Sequence, residues 1–185
     1  MAVRQIKMSD AVTAKLKELA AKAKGTLKVG FIDNDQAPIA FWNEFGHKGR
    51  FPAPARPFFR NMVDKESPDW PRMIADELKR SGMDGAKTLN KMGQEINEAL
   101  KQSIRDTNDP PLSLVTRRLR YKFGQNTQDI RARDVIEAQR ELAAVMIPTK
   151  RGTMRQMPAM VSGTGAKPLI WTKQMINSTS YEVDA

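Results

Sequence analysis

At 185 residues and 20.8 kDa the chain is long enough for one domain with a real core, or for a small domain with an extension. It has no cysteine, which excludes disulfides, thiolate metal sites and thiol nucleophiles. The formal net charge is +10 and unevenly spread: ten basic and four acidic groups in residues 110–157, against 19 and 15 in residues 1–109. A local excess of this kind suits a polyanion or an acidic protein surface, and equally a solvated face rich in arginine. MAVRQIKMSDAV carries no long apolar run, and nothing approaches the ~20 apolar residues of a membrane span. The expectation is a soluble chain with no signal peptide and no membrane contact.

Ser9-Asp10 is an N-cap for a helix carrying Val12, Leu16, Leu19 and Ala23, which Gly25 ends. Leu27, Val29 and Phe31 alternate with Lys28 and Gly30 as a half-buried strand does, and Asp33-Asn34-Asp35 supplies a turn. Pro38 opens a helix whose apolar stripe is Phe41, Trp42 and Phe45, stopped by Gly46. After a proline-rich loop, Phe58 to Lys65 reads as a short helix, broken at Ser67-Pro68 and restarted near Pro71 with Met73, Ile74 and Leu78. Leu89, Met92, Ile96, Leu100 and Ile104 form a longer helical stripe, and Gly82 and Gly85 mark a bend before it.

Asn108-Asp109-Pro110-Pro111 closes that run, and PLSLVTRRLRYKFGQNTQ after it is basic, mixed and turn-like at its start. Ile130, Val135, Ala138, Leu142 and Val145 predict an amphipathic helix from about Asp129 to Met146. Residues 148–168 lack periodicity and read as a long loop or arm. A short helix or turn and a closing strand at Tyr181–Val183 follow. The fold expected is α+β: a single domain over 1–185, with a small, mainly antiparallel sheet packed by helices and an inserted helix and long basic arm at about 124–166.

Reacting groups are sparse. His47, the single histidine, sits in a glycine-flanked loop beside Lys48 and Arg50, where a surface residue is expected rather than a base or ligand. No GxSxG, HExxH, Walker-type loop or GxGxxG is present. Gly163-Thr164-Gly165-Ala166-Lys167 lacks the spacing of a phosphate loop and runs into Pro168. The acidic residues are dispersed, and the 11 methionines read as adaptable packing. The expectation is no enzyme, no metal and no cofactor, with a small hydrolase as the least favoured class.

Arg117, Arg118, Arg120 and Lys122, interleaved with Tyr121 and Phe123, have the composition of a backbone-binding stripe with rings for stacking. Such a stripe would contact DNA phosphates without reading bases, and then be salt-dependent, or face an acidic partner. Both remain open on the sequence.

Half of the chain's 12 aromatic residues lie between Phe41 and Phe59, and three of its 11 prolines are at 52, 54 and 57. Each proline fixes its own φ and biases the residue before it toward extended geometry, which makes GHKGRFPAPARPFF a stiff strap. Ordering it at an interface costs little entropy. Phe51 would be an exposed anchor, Phe58-Phe59 would tie the far end to the core, and Arg56 could pair with a carboxylate, Glu44 being nearest. The strap either covers its own core or meets another subunit. Rings in a loop favour the second, with Glu44, Phe51, Pro54, Arg56 and Phe58 at the contact.

VGFIDNDQAPIAFWNEFG followed by PAPARPFFRNM resembles the tailed-phage neck and tail-completion proteins, also known as head–tail joining, minor tail or virion morphogenesis proteins. LNKMGQEINEALKQSI, DPPLSLVTRRLR and KPLIWTKQMINSTSYEV resemble their C-terminal half, so the likeness spans most of residues 27–109 and again 167–183. The chain departs at Thr172-Lys173, where relatives commonly carry Thr-Gly, and in a longer, more basic 124–166. The resemblance implies a virion protein of the head–tail junction, assembled in the host cytoplasm as a sixfold or twelvefold homo-oligomeric ring around the DNA channel. Its partners would be portal, adaptor or head-completion proteins on one side and tail-terminator or tail-tube proteins on the other, with nonspecific contact to genomic DNA. The alternative is a sequence-independent DNA-binding or DNA-packaging accessory protein.

Overall fold

Alternation in TLKVG makes β1 (Thr26–Gly30), and SYEVD near the chain's end makes β2 (Ser180–Asp184). They form a two-stranded antiparallel sheet in the register Thr26↔Asp184 to Gly30↔Ser180. Across it Lys28 faces Glu182 and lies 3.1 Å from Asp184. The computed structural model describes residues 14, 17–18, 21–22, 24–32, 34–49, 52–126, 129–145, 159–162, 166–170 and 172–184. Seven helices stand among them: α1 (Ala37–Phe45), α2 (Phe58–Glu66), α3 (Trp70–Arg80), α4 (Gly85–Asp106), α5 (Leu114–Phe123), α6 (Ala132–Val145) and α7 (Gln174–Asn177). The architecture is α+β, mostly helical with this one small sheet.

The chain groups into two compact units. Unit 1 comprises residues 1–33, 60–101 and 179–185; unit 2 comprises 34–59 and 102–178. Unit 1 holds the sheet, α3 and most of α2 and α4. Its buried residues include Met62, Thr88, Met92, Leu100 and Thr179. Asp84 caps α4 by accepting the Lys87 backbone N–H at 3.0 Å, which with the nearby Lys87 ammonium holds its carboxyl below the usual range. Gly93 on α4 is a contact point rather than a hinge: a Cβ there would lie 2.3 Å from the Tyr181 ring of β2. Tyr181 pairs with Val29, so the absent side chain at 93 lets the sheet seat on the helix.

Unit 2 buries Ala40, Glu44, Arg56, Phe58, Ile104, Leu119, Ala138, Leu169 and Met175. Ser113 accepts the Thr116 N–H at 3.1 Å and so caps α5, and Gly124, at φ +58°, ends it. The basic segment after Pro111 is therefore helical where a turn-like mixture was expected. Residues Val12, Leu16, Leu19 and Ala23 of the expected first helix lie outside the described residues, as do Asp33 and most of the arm. Among the described residues no helix is long and apolar enough to cross a membrane.

Candidate functional site

The α1 helix has its sides reversed relative to the expected stripe. Its inward residues are Ala40 and Glu44, both about 5% exposed, while Ile39, Phe41, Trp42 and Phe45 are between 41% and 59% exposed. The Phe41 and Phe45 rings lie 4.7 Å apart, and Trp42 meets the His47 ring edge-on at 6.0 Å.

The strap continues this surface. Gly46 takes φ +78°, open to glycine and unfavourable to other residues. A Cβ there would also run into Ala55 N at 2.8 Å and Ala53 O at 3.0 Å. The chain thus turns back closely: His47 and Ala53 exchange backbone hydrogen bonds of 2.9 and 3.0 Å, and Arg56 N–H donates to Asn43 O at 2.7 Å. Pro52, Ala53, Pro54 and Ala55 are exposed. Over its described residues the strap is tied to its own unit by backbone bonds and offers an outer apolar edge.

Three of the five expected contact residues sit inside the chain. Phe58 is 1% exposed, Glu44 5% and Arg56 6%, so their side chains face their own unit rather than a neighbour. Pro54 is exposed. Phe51 lies outside the described residues. The Arg56–Glu44 pair gives way to two other bonds, because PARPFF supplies no capping side chain for α2. Glu44 Oε2 accepts the Phe59 backbone N–H at 2.9 Å, placing a carboxylate at the helix's positive end. Arg56 Nε donates to Pro110 O at 3.0 Å. Ser103 Oγ donates to Phe58 O at 2.6 Å.

The basic stripe is likewise engaged at home. Arg117 donates through Nε and an amino group to Val161 O, at 3.3 and 3.1 Å. Arg118 donates to Glu141 Oε2 at 2.6 Å and to Ala159 O at 2.9 Å, and stacks 5.7 Å from the Tyr121 ring. Glu141 holds Arg118 above its ordinary pKa, and Arg118 holds Glu141 below its own. Arg120 donates to Lys167 O at 2.7 Å and Pro168 O at 3.1 Å. Lys122 meets Glu137 at 2.8 Å. These four side chains bind Ala159, Val161, Lys167, Pro168 and α6 to α5. Such contacts leave a weaker case for DNA or an acidic partner at these positions.

Among the described residues no cluster of His, Asp and Glu could hold a metal ion. The chain matches no family model, no curated protein and no solved structure. Function must be read from the site. What the sequence reading missed was the outward direction of the α1 rings. The available signal was Glu44, which has an acceptor role at a helix start only if its face turns inward, leaving Phe41 and Phe45 outside.

Proposed function

We propose that this chain is a structural subunit of the tailed-phage head–tail junction, joining copies of itself into a closed ring between head and tail. The observation that carries the reading is the exposed ring surface of α1 with the apolar edge of the strap beside it. Contiguous exposed apolar surface on this scale marks an interaction site, and a ring closes through two different surfaces on each subunit. The quoted resemblance gains support from two positions. Gly46, the last residue of NEFG, is required for the close return of PAPARPFF. Lys173, where relatives carry glycine, takes φ +58°, a geometry glycine adopts without strain.

The contact assigned to the ring is accordingly moved from Arg56, Glu44 and Phe58 to Ile39, Phe41, Trp42, Phe45 and Pro54. Replacing Trp42 and Phe45 together by serine should leave the melting temperature within about 2 °C, because exposed substitutions change stability little. The same variant should lose self-association in sedimentation velocity and fail to join tails to filled heads. A double variant that assembles and yields phage normally would overturn the reading. The DNA-accessory alternative rests on net charge, and the α5 contacts do not favour it.

A further inference from the structure

The carboxylates of α6 are all engaged at home. Asp134 accepts the Arg131 backbone N–H at 2.8 Å, Glu137 meets Lys122 at 2.8 Å and Glu141 meets Arg118 at 2.6 Å. Two cations of the same helix are left over. Arg133 and Arg140 are both exposed, and among the described residues neither guanidinium has a hydrogen bond or an ion pair. Ile136 stands between them, 49% exposed. At 3.6 residues per turn all three lie on the side of α6 opposite the buried Ala138. Arginine beside exposed apolar side chains is the composition enriched at interfaces.

The outer face of α1 carries the complement. Asp35, in the turn entering α1, is exposed and has no partner among the described residues. Ala37 N–H donates to Asn34 O at 2.9 Å and Ala40 N–H to Gln36 O at 2.8 Å, so the chain already winds helically past Asp35. Ile39 follows four residues later and Trp42 three after that, 41% and 53% exposed. On α6, Ile136 lies four residues before Arg140 and Arg133 three before Ile136. Laid antiparallel, the two rows match position by position over about 10 Å. Arg140 then meets Asp35, Ile136 meets Ile39, and Arg133 lies over the indole of Trp42. A guanidinium pairs in forked fashion with a carboxylate and stacks on an indole face. Lys48 lies beyond Phe45, outside the row. Both rows are exposed on one chain, so they can meet only between copies.

We infer that the α6 row of one copy docks on the α1 row of the next, with Arg140 on Asp35 and Arg133 over Trp42. Because the two rows differ, the contact is heterologous and repeats from copy to copy. It rests on the ring-assembly reading and adds the surface that receives the rings of α1.

Charge reversal in the full chain tests it, read by sedimentation velocity. Arg140→Glu and Asp35→Arg should each weaken self-association at least about a hundredfold, since like charges then face each other. Both changes in one chain should restore it to within about tenfold of wild type. All three variants should melt within about 2 °C of wild type, because the replaced side chains have no partners to lose. A single reversal that assembles like wild type, or a double reversal that stays dissociated, would overturn the contact. The ring reading survives that result if the Trp42 and Phe45 serine variant still loses assembly. A wild-type chain that stays monomeric at every concentration removes both. Loss of duplex DNA binding by Arg140→Glu, with self-association intact, would reassign the α6 row to nucleic acid and overturn the contact as well.

Discussion

Gly93 and Glu141 show how much depends on single side chains here. A methyl at 93 would have to displace the Tyr181 ring, which it would approach to 2.3 Å. Gly93→Ala should therefore destabilise unit 1 by about 1–3 kcal/mol despite the better helix propensity of alanine. Denaturant unfolding measures this directly, and pairing with Tyr181→Ala should recover part of the loss if the ring is the obstacle. Glu141 yields a pH prediction. Its pKa is held below the ordinary 4.5 by the hydrogen bond from Arg118. The stability it contributes is present above its unfolded pKa and disappears as pH falls through the lower folded value. Wild type and Glu141→Gln should differ by about 0.5–1 kcal/mol at pH 7, a small figure because the pair is partly solvated. Their melting curves should converge toward pH 3.

Among the elements, helices with long stripes were legible and those with mixed faces were not. Met92, Leu100 and Ile104 of α4 are almost fully buried, as periodicity demands when one face carries all the large apolar residues. The strand at Tyr181–Val183 and the helix from Phe58 were also readable, from alternation and from flanking prolines. α5 was hidden because four cations interrupt its apolar pattern, although Ser113 and Gly124 mark its two ends. In α1 periodicity located the helix but misassigned its inner face. Periodicity finds a stripe, whereas the direction of that stripe depends on what the rest of the chain offers. Here a glycine turn and a capping need at Phe59 drew Glu44 inward. Arg56 and Phe58 were expected at a subunit contact, and their burial follows from the strap returning onto its own unit.

For the whole molecule, charge and contact tell different stories. A net +10 invites nonspecific DNA binding, yet the most basic helix uses its arginines to hold Ala159, Val161, Lys167 and Glu141. Binding to nonspecific duplex should be weak, and Arg118→Ala should leave the slope of log K against log[salt] unchanged. A slope reduced by about 1 would return Arg118 to phosphate contact. Fluorescence anisotropy across a salt series reads that slope.

Trp42, 53% exposed and lying against His47, also gives the chain an optical gauge. An indole in contact with water emits at long wavelength, and one enclosed by a neighbouring subunit shifts toward the blue. Mixing experiments followed by intrinsic emission, with Trp42→Phe as the blank, would time the closing of this surface without any attached dye.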